Sequence, residues 1–214
     1  MSQFSRNELI EWTGLPAEAV VVVGNGCSLA PATSAELDRG AEASRTTILF
    51  VGNSKPHKNL SLLIAALRHM NHEVRVVTVG VPPERITEEC EAYGVQRDRV
   101  SSYQGISDAE LRELYVTAGC VALPSTYEGF GLAALEGMAV GTPTAYVCEA
   151  VCEVVGSLGF RSVSPLDAEA YAVALSAAMA VDGIARHDLI ARAMTFSWDD
   201  AARLVEQQIG EMHT

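Results

Sequence analysis

Positive charge is scarce in this sequence. Fifteen lysines and arginines stand against 27 aspartates and glutamates, a formal net charge of -12. That balance argues against nucleic acid or an anionic membrane surface as the main partner, and any anionic ligand must find a local cluster of positive charge. Long apolar runs are missing as well. None approaches the ~18 residues of a membrane span, so no transmembrane segment is expected. The first ten residues carry Arg6, Asn7 and Glu8 where a secretory leader would have an apolar core. Cysteine is sparse: Cys27, Cys90, Cys120, Cys148 and Cys152 make an odd count, without the paired spacing of a zinc site, and read as reduced core thiols. His69, His72, His187 and His213 have no partners at catalytic or metal spacing. These absences predict a cytoplasmic protein with no metal site.

What is present is apolar and periodic. Of 214 residues, 49% are hydrophobic, enough for one large domain with a core and too many for disorder. The N-terminal stretch predicts a short helix around residues 7–13, stopped by Gly14 and Pro16, then a buried strand at residues 20–23 and a tight turn at Gly24-Asn25-Gly26. A dinucleotide fingerprint is not expected there, since Leu29 stands where the third glycine belongs. Residues 28–45 read as a polar connector. From Thr46 onward strands and helices alternate: strands at 48–51, 74–79, 100–103, 120–123 and 144–147, with helices at 59–70, 85–93 and 107–118 between them. Ser107 and Glu110 are placed for a capping box. A turn of helix near 151–155 and helices at 168–179, 187–194 and 198–209 close the chain. Apolar strands without alternation are those of a parallel sheet covered on both faces. The pattern predicts an α/β fold, a Rossmann-like doubly wound parallel sheet.

The stretch CVALPSTYEGFGLAALEGMAVGTP, residues 120–143, carries the chemistry. It reads as a buried strand, a turn, and a helix whose first turn is made of small residues. Glu128 precedes that helix and Glu136 is placed two turns into it, so eight residues of helical rise would set the carboxylates about 12 Å apart, the span of a nucleoside diphosphate sugar. Gly129, Gly131, Ala133 and Ala134 leave the helix N-terminus bare, as a diphosphate requires. Carboxylates at either end suit hydroxyls of a ribose and of a hexose. The same residues also fit an ordinary strand, loop and helix in which glycines serve close packing. A second candidate is the loop Gly52-Asn53-Ser54-Lys55-Pro56-His57-Lys58-Asn59 after the first strand, the usual ligand position in an open parallel sheet. It groups three potentially cationic side chains in an acidic protein. A lysine charge suits a phosphate, although a solvated basic loop would look the same.

Glu128 and Glu136, set in EGFGLAALE and followed by Gly141-Thr142-Pro143, resemble the E-x7-E signature of retaining glycosyltransferases of the GT-B fold, in particular glycosyltransferase family 4. The basic loop resembles that family's G-R-x-x-x-x-K segment, with Lys58 matching the Lys and Asn53 standing where Arg is usual. Gln104-Gly105-Ile106-Ser107 resembles its x-G-x-[ST] turn, residues 149–156 its P-E-x-x-G stretch, and Phe196-Ser197-Trp198 its F-S-W motif, in which Trp198 would be core packing.

The resemblance implies a single domain of the GT-B C-terminal type. Residues 1–19 would be a hinge or remnant helix of an N-terminal domain, and residues 20–214 the nucleotide-sugar-binding domain. Glu128 would contact the hexose, Glu136 the ribose diol, and the backbone of Gly129, Phe130, Gly131 and Leu132 the sugar and phosphates. Lys58, with Lys55 and Asn53 nearby, would clamp the diphosphate without a metal ion, and Gln104, Gly105 and Ile106 would meet the base. Lys58 and Glu128 are the catalytic candidates. A UDP- or GDP-hexose is the implied donor, with no cofactor. The acceptor side would belong to an N-terminal GT-B domain or a partner chain, so the chain alone is expected to bind donor and transfer little sugar. An excised domain, a truncated gene product and half of a split enzyme all fit this. A non-catalytic nucleotide-sugar-binding module of the same fold is the competing reading, and a sugar-nucleotide epimerase of GT-B type a third.

Overall fold

The computed structural model describes residues 2–42 and 46–212. Six parallel strands form one sheet: β1 (Thr47–Val51), β2 (Arg75–Val79), β3 (Val100–Tyr103), β4 (Cys120–Leu123), β5 (Thr144–Tyr146) and β6 (Phe160–Arg161), in the order β3-β2-β1-β4-β5-β6. The predicted doubly wound sheet is present, and its order reverses between β1 and β4. The two-residue β6 was not predicted. It is too short to carry a periodic signal, and is defined by its pairing of Phe160 with Ala145 and Arg161 with Tyr146.

Strand side chains alternate between two cores, as a pleat with period two requires. Ile48, Phe50, Val76, Cys120, Ala122 and Ala145 point to one face, where they meet α3 (Leu60–Ala66), α4 (Pro83–Tyr93) and α8 (Ala168–Met179). Leu49, Val121, Leu123 and Tyr146 point to the other, against α5 (Asp108–Thr117), α6 (Leu132–Ala139), α7 (Cys152–Val155) and α9 (Gly183–Ala193). Both faces of the central strands are therefore dry, which is why β1 and β4 read as apolar runs, whereas β3 at the sheet edge, Val-Ser-Ser-Tyr, is partly exposed. The capping box at Ser107 and Glu110 is formed, with both reciprocal bonds.

Several expectations are corrected. The helix expected at 59–70 is α-helical only over α3 and ends in a 3-10 turn, Leu67–His69; a further 3-10 turn, Pro56–Lys58, precedes it, and Asn59 between that turn and α3 adopts φ 51°. The predicted strand at residues 20–23 does not form. Val20 is buried but Val21 is exposed, and among the described residues this segment pairs with no strand, so its apolar pattern has no ladder to join. The polar connector contains α2 (Ser34–Glu42), opened by a Thr33 and Glu36 capping box: the Thr33 backbone N–H donates to Glu36 Oε2 at 2.8 Å and the Glu36 N–H to Thr33 Oγ1 at 3.3 Å. Ion pairs of Arg112 with Glu36 and of Arg39 with Glu113 fasten α2 to α5. Trp198, expected in the core, is 48% exposed at the start of α10 (Trp198–Met212). Its indole packs on the Gly26 backbone and donates to Ser28 Oγ at 3.3 Å. The N-terminal helix α1 is longer than expected, Gln3–Thr13, and ends at Gly14.

All five cysteines are free; Cys90, Cys120 and Cys148 are buried and Cys27 and Cys152 half-buried. No helix among the described residues is long and apolar enough to cross a membrane. His213 lies outside the described residues.

Candidate donor site

A cleft of about 620 Å³ opens where β1 and β4 diverge, with Val51 and Leu123 at its floor. This is the crevice at the carboxyl ends of the strands where the sheet order reverses, the place where open α/β sheets bind ligands. Its walls come from three parts of the chain: the loop after β1, the loop from β4 into α6, and the N-terminal segment.

The β4–α6 loop differs from its expected form. Helix α6 begins at Leu132, so Glu128 lies four residues upstream in irregular backbone and Glu136 only one turn into the helix. The spacing of about 12 Å expected from continuous helical rise therefore does not apply. What ends the loop is Gly131, whose φ of 99° is reached by glycine without the steric cost a side chain would meet. Gly131 offers no side chain to cap the helix, whereas Ser107, Asp167 and Asp182 cap α5, α8 and α9. The first amides of α6, those of Leu132 and Ala133, belong to the set a helix leaves without intrahelical acceptors, and both residues line the cleft. The positive end of the α6 dipole thus opens into the cavity.

Lys58 reaches across from the first loop. Its Nζ lies 2.7 Å from Glu128 Oε1, with the two side chains 20% and 11% exposed. The pair is charge-assisted and largely shielded, so it is stronger than a surface ion pair. The loop that carries Lys58 is itself held to the second motif: the Thr126 N–H donates to the His57 carbonyl at 2.8 Å, and Asn59 Nδ2 donates to the Pro124 carbonyl at 3.2 Å. Two motifs 70 residues apart in sequence meet through these contacts.

Glu136 stands deeper. The Tyr115 hydroxyl donates to its Oε2 at 2.7 Å. Burial pushes the Glu136 carboxyl above its ordinary range, the Tyr115 hydrogen bond acts against that rise, and the Asp108 charge adds to it. The Tyr115 hydroxyl is pushed well up, first by burial and then by the Glu136 charge. Cys27, half-buried on the same side, is also raised, chiefly by burial.

The N-terminal segment supplies Ser5 and Asn25 to the cleft. Ser5 Oγ donates to the Gly129 carbonyl at 2.9 Å, and the rings of Phe4 and Tyr127 lie 6.3 Å apart. Helix α1 is docked by Glu153, whose two carboxylate oxygens accept from the Gln3 and Phe4 N–H groups at 2.8 and 2.6 Å. Glu153, placed by sequence in a motif of its own, is therefore committed to α1.

Of the candidate residues, Lys58, Glu128, Gly129, Phe130, Gly131, Leu132 and Glu136 line one cleft. Asn53 and Lys55 do not: both are exposed in the loop, where Asn53 Oδ1 accepts from the Lys55 N–H at 3.0 Å. Gln104, Gly105 and Ile106 lie on the exposed turn after β3, outside the cleft lining. The sequence reading missed Ser5, Asn25 and Tyr115. Ser5 sat in a segment read as hinge, Asn25 in one read as a tight turn, and Tyr115 in a helix read as packing on the sheet.

Residues 36–195 match the family of glycosyl transferases group 1. The chain belongs to that family. Among curated relatives, a D-inositol 3-phosphate glycosyltransferase of Xylanimonas cellulosilytica is 37% identical over 76% of this chain and 42% of its own length. The O-antigen chain mannosyltransferase B of Escherichia coli is 29% identical over 94% of this chain and 56% of its own. The chain spans about half the length of these two relatives. Among solved structures, a glycosyltransferase of Rickettsia africae superposes with a TM-score of 0.80 at 20% identity, over 100% of this chain and 62% of that one. HepE of Anabaena, solved with UDP-glucose, superposes with a TM-score of 0.82 at 19% identity, over 98% and 62%. The group 1 membership and these neighbours agree with a GT-B domain of the C-terminal type.

Proposed function

We propose that the cleft holds a nucleotide diphosphate sugar and that this domain is the donor-binding half of a retaining hexosyltransferase. The observation that carries the reading is the convergence of Lys58, Glu128, Glu136 and the uncapped start of α6 on one cavity at the β1/β4 switch. In this reading the α6 amides and Lys58 take the diphosphate, since both present positive charge to the same space. Glu136 accepts from the ribose diol and Glu128 from hydroxyls of the hexose. HepE, of the same fold, is solved with UDP-glucose and with UDP, which supports a nucleotide sugar as the ligand class.

The chemistry asked of Lys58 follows from its position. As the glycosidic bond breaks, negative charge grows on the departing diphosphate, and an ammonium already held beside it needs little reorganisation. Glu128 fixes that ammonium in the free state and gives up part of the contact when phosphate arrives. Lys55, exposed in the same loop, adds charge from outside the cleft. Transfer also requires an acceptor in register with the donor, which we assign to a further domain or partner chain, with residues 2–19 on that side of the site. Transfer by this chain alone is expected to be weak or absent.

A thermal-shift series with UDP, GDP, ADP and their hexose conjugates tests the reading on wild type and on Glu136→Ala. A ligand at about a hundred times its Kd adds roughly 2.7 kcal/mol, which is on the order of 5 °C for a domain of this size. We expect that shift with one base and its loss in the variant. No shift with any nucleotide, or equal shifts in both proteins, would overturn the reading.

A further inference from the structure

The Tyr115 side chain is fully buried, in the core cluster that also holds Leu49, Val121, Leu135 and Met138. A phenylalanine would fill the same space without taking a hydroxyl out of water, and a buried hydroxyl is unfavourable unless it finds an acceptor. Its acceptor is not a backbone carbonyl of the core. It is Glu136 Oε2, at 2.7 Å, on a residue that lines the cleft. The tyrosine is itself fixed, since Thr142 Oγ1, buried, donates to the Tyr115 carbonyl at 2.7 Å. A glutamate has three side-chain torsions, and this contact ties the far end of Glu136 to rigid core. One oxygen is engaged from behind, leaving Oε1 and a remaining lone pair of Oε2 for a ligand.

We propose that Tyr115 is a positioning residue whose hydroxyl aims the Glu136 carboxylate at a vicinal diol, and so contributes to recognition of the ribose without touching it. The inference rests on the reading of the cleft as a donor site. It adds a specific division of labour: Lys58 and the α6 amides answer to the diphosphate, whereas Tyr115 and Glu136 act as a unit on the two ribose hydroxyls. The other titratable groups acting on Glu136 are Asp108, at the start of α5, and Cys27. Neither donates to the carboxylate, so the Tyr115 hydroxyl is the contact that favours its charged form.

The test compares the tightest-binding of UDP, GDP and ADP with its 2′,3′-dideoxy counterpart by calorimetry, on wild type, Tyr115→Phe, Glu136→Ala and the double variant. Tyr115→Phe should weaken the natural nucleotide about tenfold, the loss of one hydrogen bond to a charged group, and leave the dideoxy ligand within about twofold. On a Glu136→Ala background, where no carboxylate is left to aim, it should add little, because coupled residues are not additive. A lowered Tm with equal losses for both ligands would make Tyr115 merely structural and overturn the inference. In parallel, the Glu136 carboxyl carbon is titrated by NMR in wild type and Tyr115→Phe. A midpoint moved to higher pH in the variant supports the coupling, and an unmoved midpoint overturns it. Absence of nucleotide binding in wild type would instead remove the donor-site reading and the diol role with it, while the titration still reports whether Tyr115 governs Glu136.

Discussion

At the scale of single residues, Glu136 is where fold and function pull apart. Burial raises its carboxyl above the ordinary range, so between the unfolded and folded values the native state binds more protons. Stability therefore rises as pH falls through that interval, and at neutral pH the ionised group opposes folding. Glutamine keeps the shape, and its amide oxygen can still accept from Tyr115. Thermal melts of Glu136→Gln should give a Tm above wild type at neutral pH, with the gain shrinking as the medium is acidified, while nucleotide affinity falls. A lower Tm at neutral pH would show that burial is not the dominant influence. Lys58 has the opposite character, because it is paired. Lys58→Met strands Glu128 without its ammonium and removes the charge assigned to the diphosphate. Calorimetry should show nucleotide affinity reduced by about 1.5–3 kcal/mol, the worth of a hydrogen bond to a charged group, and an unchanged Kd would remove Lys58 from the site.

Elements set the geometry that these residues inherit. Helix α6 sits tightly on β4: a Cβ at Gly137 would meet Val121 Cγ2 at 2.7 Å and the Thr142 carbonyl oxygen at 3.2 Å. Gly137→Ala should consequently destabilise the domain by about 1–3 kcal/mol through overpacking, read as a lowered urea midpoint; an unchanged midpoint would mean that α6 can move away from the sheet at no cost. Helix α2 depends on a different force. Hydrogen bonds from Arg112, helped by Thr33, lower Glu36 to about 2. The stabilisation is present above the ordinary carboxylate range and is lost as pH falls through about 2. Amide exchange in α2 should accelerate across that acid range before the sheet opens, and faster exchange already at neutral pH in Arg112→Met would confirm the anchor. This helix also shows where sequence was legible and overlooked. The T-x-x-E pattern at Thr33 and Glu36 was present, but polar composition hid it. The start of α6 is a different case. The sequence GFGLAA at 129–134 does not say where a helix begins, because the break is the φ of 99° at Gly131, which belongs to the folded loop, where a Cβ would meet Val151 Cγ2 at 3.2 Å. Val20–Val23 had the pattern of a strand and lacked a neighbour, which sequence alone does not reveal. The short central strands β1 and β4 were readable because burial on both sides leaves no ambiguity of face.

For the whole molecule, the reversal of the sheet order and the lining of the cleft fall at one crevice between β1 and β4. Glu128, Glu136 and Lys58 could be named in advance through their resemblance to the E-x7-E and G-R-x-x-x-x-K segments, not through spacing or composition, and the fold brings all three to one cleft. Tyr115 could not, since a tyrosine on the inner face of α5 looks like any core aromatic until its hydroxyl is seen to end on Glu136. The central claim is that this crevice receives a nucleotide diphosphate sugar, and a crystal structure of the chain soaked with UDP-glucose and GDP-mannose tests it most directly. The account predicts one of the two bound with its diphosphate between the Lys58 ammonium and the first amides of α6, its ribose diol on Glu136 and its hexose beside Glu128. A nucleotide sugar bound elsewhere, or neither one bound in a crystal whose cleft is open to solvent, would contradict it.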